Sequence, residues 1–160
     1  MSAATLPDLL RRHPFVAGFA PAHVDKLVAL ARAVAFGRGD VVFREGDSTH
    51  EFFLITQGRI SLEIQEPDDH ALRVQVLGPG DEFGWSSMLA DRGRFFLARA
   101  LEPTEALAFD GPALLEACRA DTGFGFAFIY RMLGVVSERL LATRLQLHDA
   151  YSLRARRSGA

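Results

Sequence analysis

Between Phe36 and Pro112 the chain is punctuated at short intervals by clusters of Gly, Pro and Asp: "FGRGD", "REGDS", "TQGR", "EPDDH", "LGPGD" and "LEPTE". Turn chemistry at this spacing favours a sandwich or barrel of short strands over alternating βα units. Ile60, Leu62 and Ile64 alternate with Arg59, Ser61 and Glu63, and Leu72, Val74 and Val76 alternate with Arg73 and Gln75. Each run predicts a half-buried strand. The region from Val34 to Asp110 therefore reads as a small antiparallel β-roll (a double-stranded β-helix, jelly-roll-like), and the fold class as mainly β with flanking helices.

The helices lie at both ends. In "PAHVDKLVALARA" Val24, Leu27, Val28 and Ala31 share one face, and Pro21 suits a first helical turn. After "FDGP", where Asp110 can cap and Pro112 can open a helix, a short helix and then a long one over 122–151 are expected. Along the long helix Ile129, Leu133, Val136, Leu140, Thr143, Leu147 and Ala150 recur in alternating steps of four and three, the spacing of a coiled-coil seam. Tyr130, Leu141 and Leu145 offer a second apolar face to pack on the β-roll, which leaves the seam for a homodimer and Thr143 as a register or ligand contact. The competing reading, that the seam itself packs on the roll, stays open. The expected organisation is an N-terminal segment over 1–12, one domain over 13–151 that includes the dimerisation helix, and a disordered basic tail over 152–160. Arg154, Arg156 and Arg157 in that tail are assigned no function.

Composition narrows the function classes. A 160-residue chain with 49% hydrophobic residues and a net charge of -2 fits one soluble domain, without the basic excess of a broad nucleic-acid surface. No secretory h-region and no membrane-length apolar run occurs, so a cytoplasmic location without membrane contact is expected. Cys118, the single cysteine, sits in the helical pattern "PALLEACRA" and reads as a buried small hydrophobe. His13, His23, His50, His70 and His148 are scattered, which argues against a metal site or a haem ligand. No nucleophile elbow, zinc motif or phosphate loop appears, so neither an enzyme nor a cofactor is expected.

The ordered series "FREGDSTHEFFLITQGRISLEI", "LGPGDEFGWSSML", a following arginine and a long C-terminal helix resembles the cyclic nucleotide-binding domain. The similarity runs from about His13 to Tyr151 and is to the sensor half of the cyclic AMP receptor protein and fumarate–nitrate regulator superfamily. Gly39, Gly46, Gly58, Gly80 and Gly84 fall where that fold places glycines. The resemblance implies a site for cyclic AMP or another cyclic nucleotide, with Arg94 as the phosphate-binding arginine and Arg92 as the fallback. Independently, a helix opening at Gly84 would present unpaired N–H groups to an anion, and a guanidinium could clasp its oxygens.

The chain also departs from the family pattern. The residue after this glycine is usually a glutamate that receives the ribose 2'-hydroxyl; here it is Trp85, which has no acceptor. The hydroxyl residue usual after the arginine is replaced by Phe95, followed by Phe96. Three features keep a ligand in play: the hydroxyls of Ser86 and Ser87, the stacking surfaces of Trp85 and the phenylalanines, and Thr143, which falls where the family presents a threonine to adenine, with Arg144 beside it. Trp85 is thus either a lid on a changed ligand or a plug in a disused pocket. Full regulators of this superfamily continue into a helix-turn-helix domain, and nine residues after Tyr151 do not hold one. Direct DNA binding by this chain is not expected, and the Met1 start together with the complete seam suggests a whole protein. The expectation is a stand-alone sensor of a small phosphorylated ligand that signals through the long helix to an effector protein; the alternative is a ligand-free dimeric adaptor of the same fold.

Overall fold

The computed structural model describes residues 4–68, 70–89 and 93–159, with no side-chain description at Ser87. Among the described residues, eight strands form two four-stranded antiparallel sheets. The first has the order β1 (Arg32–Phe36), β8 (Thr104–Asp110), β3 (Glu51–Gln57), β6 (Glu82–Phe83); the second has β2 (Val41–Phe43), β7 (Leu97–Ala100), β4 (Ile60–Gln65), β5 (Ala71–Leu77). Helices α1 (Leu6–Arg12) and α2 (Pro21–Leu30) precede the roll; α3 (Gly111–Ala120) and α4 (Thr122–Ser158) follow it.

"FFLI", Phe52–Ile55, is continuously apolar because β3 is buried on both faces there. Phe53 and Ile55 face the second sheet and join Ile60, Leu62, Leu77 and Phe83 in the core of the roll. Phe52 and Leu54 face the other way, into a second core with Leu10, Phe15, Leu27, Leu114, Phe124 and Phe128 from the helices. Strand β8 divides in the same manner, with Ala106 and Ala108 toward one core and Leu107 and Phe109 toward the other. Central strands of one sheet thereby fix where the helices sit.

Four expectations need correction. The register of β4 shifts between Leu62 and Glu63, and Ser61 and Glu63 are buried rather than facing solvent. Ser61 donates to Glu63 at 2.6 Å and Arg99 donates to it at 3.3 Å, so a polar cluster replaces the expected alternation. Helix α2 ends at Leu30, because Ala31 turns to extended backbone and leads into β1. The face of α4 that packs on the roll is Phe124, Phe128, Met132 and Val135, whereas Tyr130, Leu141 and Leu145 are exposed. Finally, the basic tail continues α4 to Ser158 in place of disorder, since nothing in "SLRARRS" breaks a helix. At the other end, the 1–12 segment contributes α1, whose Leu10 is fully buried in the helical core.

Candidate functional site

Strand β6 ends at Phe83, and the chain reverses through Gly84, whose φ is 81°. A Cβ at this glycine would lie 2.6 Å from the carbonyl oxygen of Glu51 and 2.9 Å from Nη1 of Arg94, so no other residue fits. The turn opens into a single 3-10 turn, Trp85–Met88, rather than the longer helix the sequence suggested. One such turn offers N–H groups but little dipole.

Arg94 lies across this turn. Its backbone is pinned to the Gly46–Asp47 loop, donating to Asp47 O at 3.1 Å and accepting from Gly46 N at 2.9 Å. Arg94 as a residue is only 2% exposed, and its guanidinium donates in three directions: to Thr49 Oγ1 at 3.0 Å, to Gly84 O at 2.9 Å and to Glu51 O at 2.7 Å. It also sits 4.1 Å above the ring of Phe43. Burial lowers its pKa to about 10, an effect that Asp47 partly offsets, and it therefore stays charged at neutral pH. A buried cation held chiefly by neutral oxygens is an anion's natural counterpart, because a charged acceptor bonds a guanidinium more strongly than a carbonyl does.

The structure brings Gly84, Trp85, Ser86, Arg94 and Phe95 together around the turn. Ser86 is buried. Trp85 stands edge-on to Phe95 and packs on the helical core, where it lines an apolar groove of about 330 Å³ with Met88, Leu115, Met132 and Leu133. Phe96 packs against the core of the roll. Ser87's side chain and Arg92 lie outside the described residues. Thr143 and Arg144 are exposed on α4, and the Thr143 hydroxyl bonds back to Arg139 O at 3.0 Å, so a single chain does not bring them to the turn. Ile129, Leu133, Leu140 and Leu147 of the seam are between 48% and 69% exposed, with Val136 half-buried.

Sequence reasoning missed Arg139 and Glu82. Arg139, one step from the seam, donates to both the carbonyl and the carboxylate of Glu82, and each side chain is 14% exposed. Burial raises the Glu82 pKa and lowers that of Arg139, while each partner pulls the other back. The available signal was a lone arginine on the side of the helix that carries Phe128 and Val135.

Among the described residues no helix is long and apolar enough to cross a membrane, and no His, Cys, Asp and Glu group could hold a metal ion. The model of the cyclic nucleotide-binding domain family matches residues 33–121, which include Gly84, Trp85 and Arg94 but not α4. The chain is 27% identical over 146 residues to the CRP-like cAMP-activated global transcriptional regulator of Mycobacterium tuberculosis, covering 90% of this chain and 62% of that protein. It thus spans less than two thirds of that relative's length. Among solved structures, the catabolite activator protein of Thermus thermophilus matches with a TM-score of 0.72 and 27% identity, over 87% of this chain and 63% of that one. A cyclic nucleotide-binding domain from Methylobacillus flagellatus matches with a TM-score of 0.76 over 82% of this chain and 74% of that one, and at 20% identity it speaks for the fold alone.

Proposed function

The chain belongs to the cyclic nucleotide-binding domain family, and from that membership we propose a regulatory module that takes a small phosphate ester between Gly84 and Arg94 and signals through α4. A cyclic nucleotide is the first ligand to consider, because the Mycobacterium tuberculosis relative is described as cAMP-activated. The observation that carries this reading is the buried guanidinium of Arg94, held by two main-chain carbonyls and a hydroxyl at the mouth of a glycine turn. An arriving phosphate oxygen outcompetes Gly84 O for that group, because it brings the charge the carbonyl lacks. The N–H groups of the 3-10 turn and the Ser86 hydroxyl supply further donors. The ribose of such a ligand meets no carboxylate at position 85.

The seam of α4 supports a homodimer: its apolar side chains are exposed at heptad spacing over about 27 Å of helix. A second reading, a ligand-free dimeric adaptor, is favoured by Trp85, whose indole lines the apolar groove beside α4. Because Trp85 is the only tryptophan, a titration of its fluorescence with cyclic AMP, run alongside calorimetry, distinguishes the two. Saturable binding supports the sensor, and its absence for cyclic AMP and cyclic GMP alike supports the adaptor.

A further inference from the structure

Helix α4 outruns the roll it packs on. The side chains it buries in the helical core, Phe124, Phe128, Met132 and Val135, lie in its first half. Its last hydrogen bond to a strand among the described residues runs from Gln146 Nε2 to Val74 O, at 2.8 Å. From Leu147 to Ser158 it continues for about 18 Å, every residue exposed except a half-buried Ser152. The seam enters this stretch and changes character. Its steps of four and three carry on from Leu147 and Ala150 to Arg154 and Arg157, so two arginines stand where apolar side chains would meet a second copy. Arg156 lies beside them, and no carboxylate stands three or four residues from any of the three. Among the described residues none of them makes an ion pair, and the acidic group nearest in sequence, Asp149, faces His148 at 3.7 Å. The helix dipole favours cations in a last turn but does not place them on the seam. In a parallel pair of α4 helices Arg154 and Arg157 face their own copies, so the second copy that covers Leu140 and Leu147 cannot also satisfy these positions.

We infer that the paired ends of α4 form a cationic fork that docks an acidic, partly apolar segment of the effector protein. The inference rests on the proposed dimer and gives the chemistry of the partner that α4 addresses. Arg154, Arg156 and Arg157 of each helix converge within about 5 Å of helix rise. Tyr151 and Leu153, 64% and 59% exposed, supply apolar surface beside them. A carboxylate accepts the two parallel N–H groups of a guanidinium, and in the same contact it relieves the repulsion across the fork. Duplex nucleic acid fits less well, because it carries one charge per about 1.7 Å and calls for an extended basic track. The cations here are confined to the tip of a chain whose net charge is -2.

Anisotropy of a fluorescein-labelled peptide of about fifteen residues repeating Glu-Glu-Leu, titrated with the full chain in the absence of nucleotide, tests this. Saturable binding is expected, and Arg154→Gln, Arg156→Gln and Arg157→Gln together should weaken it at least about tenfold. Raising the salt from about 50 to about 300 mM should weaken it in the same sense. A charge swap guards against a variant that merely folds less well: Arg154→Glu, Arg156→Glu and Arg157→Glu together should lose the acidic peptide and take one repeating Lys-Lys-Leu. Equal binding of a Gln-Gln-Leu peptide, no effect of the Gln replacements, or tighter binding of a random-sequence duplex of about 20 base pairs overturns the proposal. Light scattering on the same samples separates the two layers. A dimer that ignores the acidic peptide keeps the seam and retires the fork, whereas a monomeric wild type retires both. Neither result touches the proposed nucleotide site at Arg94, which a thermal scan with cyclic AMP reads independently.

Discussion

Trp85 stands edge-on to Phe95, with ring centroids 5.4 Å apart and planes at 68°. The pair joins the two sides of the turn at Gly84, and the indole's other contacts are with the helical core and the groove beside α4. In the described arrangement Trp85 contributes packing before any ligand arrives. Trp85→Ala is expected to cost about 2–3 kcal/mol, below the usual range for a fully buried Trp because this one is half-buried. At this chain length that lowers the unfolding midpoint by roughly 5–10 °C without nucleotide. An unchanged midpoint would assign Trp85 to ligand contact alone.

Gly84 and Gly39 share a left-handed backbone but not their surroundings. At Gly84, with φ 81°, a Cβ meets Glu51 O at 2.6 Å; at Gly39, with φ 88°, it meets nothing within 4 Å. Gly39→Ala should cost about 1 kcal/mol, from backbone conformation alone, whereas Gly84→Ala should cost about 2 kcal/mol more. Urea unfolding of both variants checks the difference.

His13 predicts a pH dependence. It is 5% exposed, accepts from Phe15 N at 3.2 Å through Nδ1 and faces Ile55 O at 3.0 Å through Nε2, an arrangement that fits the neutral ring. Burial lowers its pKa from 6.5, and the Ile55 carbonyl and Asp81 only partly offset that. The unfolded chain therefore binds the proton more readily, so stability is full above pH 6.5 and is lost as the pH falls toward the lowered folded value. Chemical unfolding between pH 7.5 and pH 5 should show this decline, and His13→Gln should flatten it.

The proposed dimer has its own test. Leu140 is 69% exposed on the seam and Leu141 is 55% exposed off it. Leu140→Glu should give a monomer by light scattering and Leu141→Glu should not, while both change the stability of the isolated fold by less than about 0.5 kcal/mol. A monomeric wild type would remove the seam from the account.

The turns, the roll and the helix order were legible because Gly, Pro and Asp clusters act locally. Val24, Leu27 and the long helix followed from periodicity, which is also local. Ser61 and Glu63 were misread because an alternating pattern does not reveal that Arg99, on another strand, covers them. The packing face of α4 was misassigned for a related reason: its apolar residues lie nearly all round the helix, and only the placement of α1, α2 and the roll selects Phe124, Phe128 and Met132. Gly84 and Arg94 could be picked out in sequence, but not that Arg94 is already bonded to Thr49, Glu51 and Gly84, nor that Arg139 reaches Glu82.

The most direct measurement is a thermal-unfolding scan of the wild type and Arg94→Met with cyclic AMP and cyclic GMP, each at about a hundred times the dissociation constant or at the solubility limit, against AMP as control. Ligand at that excess stabilises by about 2.7 kcal/mol. The account predicts a rise of roughly 5–10 °C in the wild type with a cyclic nucleotide, little with AMP, and none in Arg94→Met. No rise with either cyclic nucleotide, or an equal rise in Arg94→Met, would contradict a phosphate site at Gly84 and Arg94.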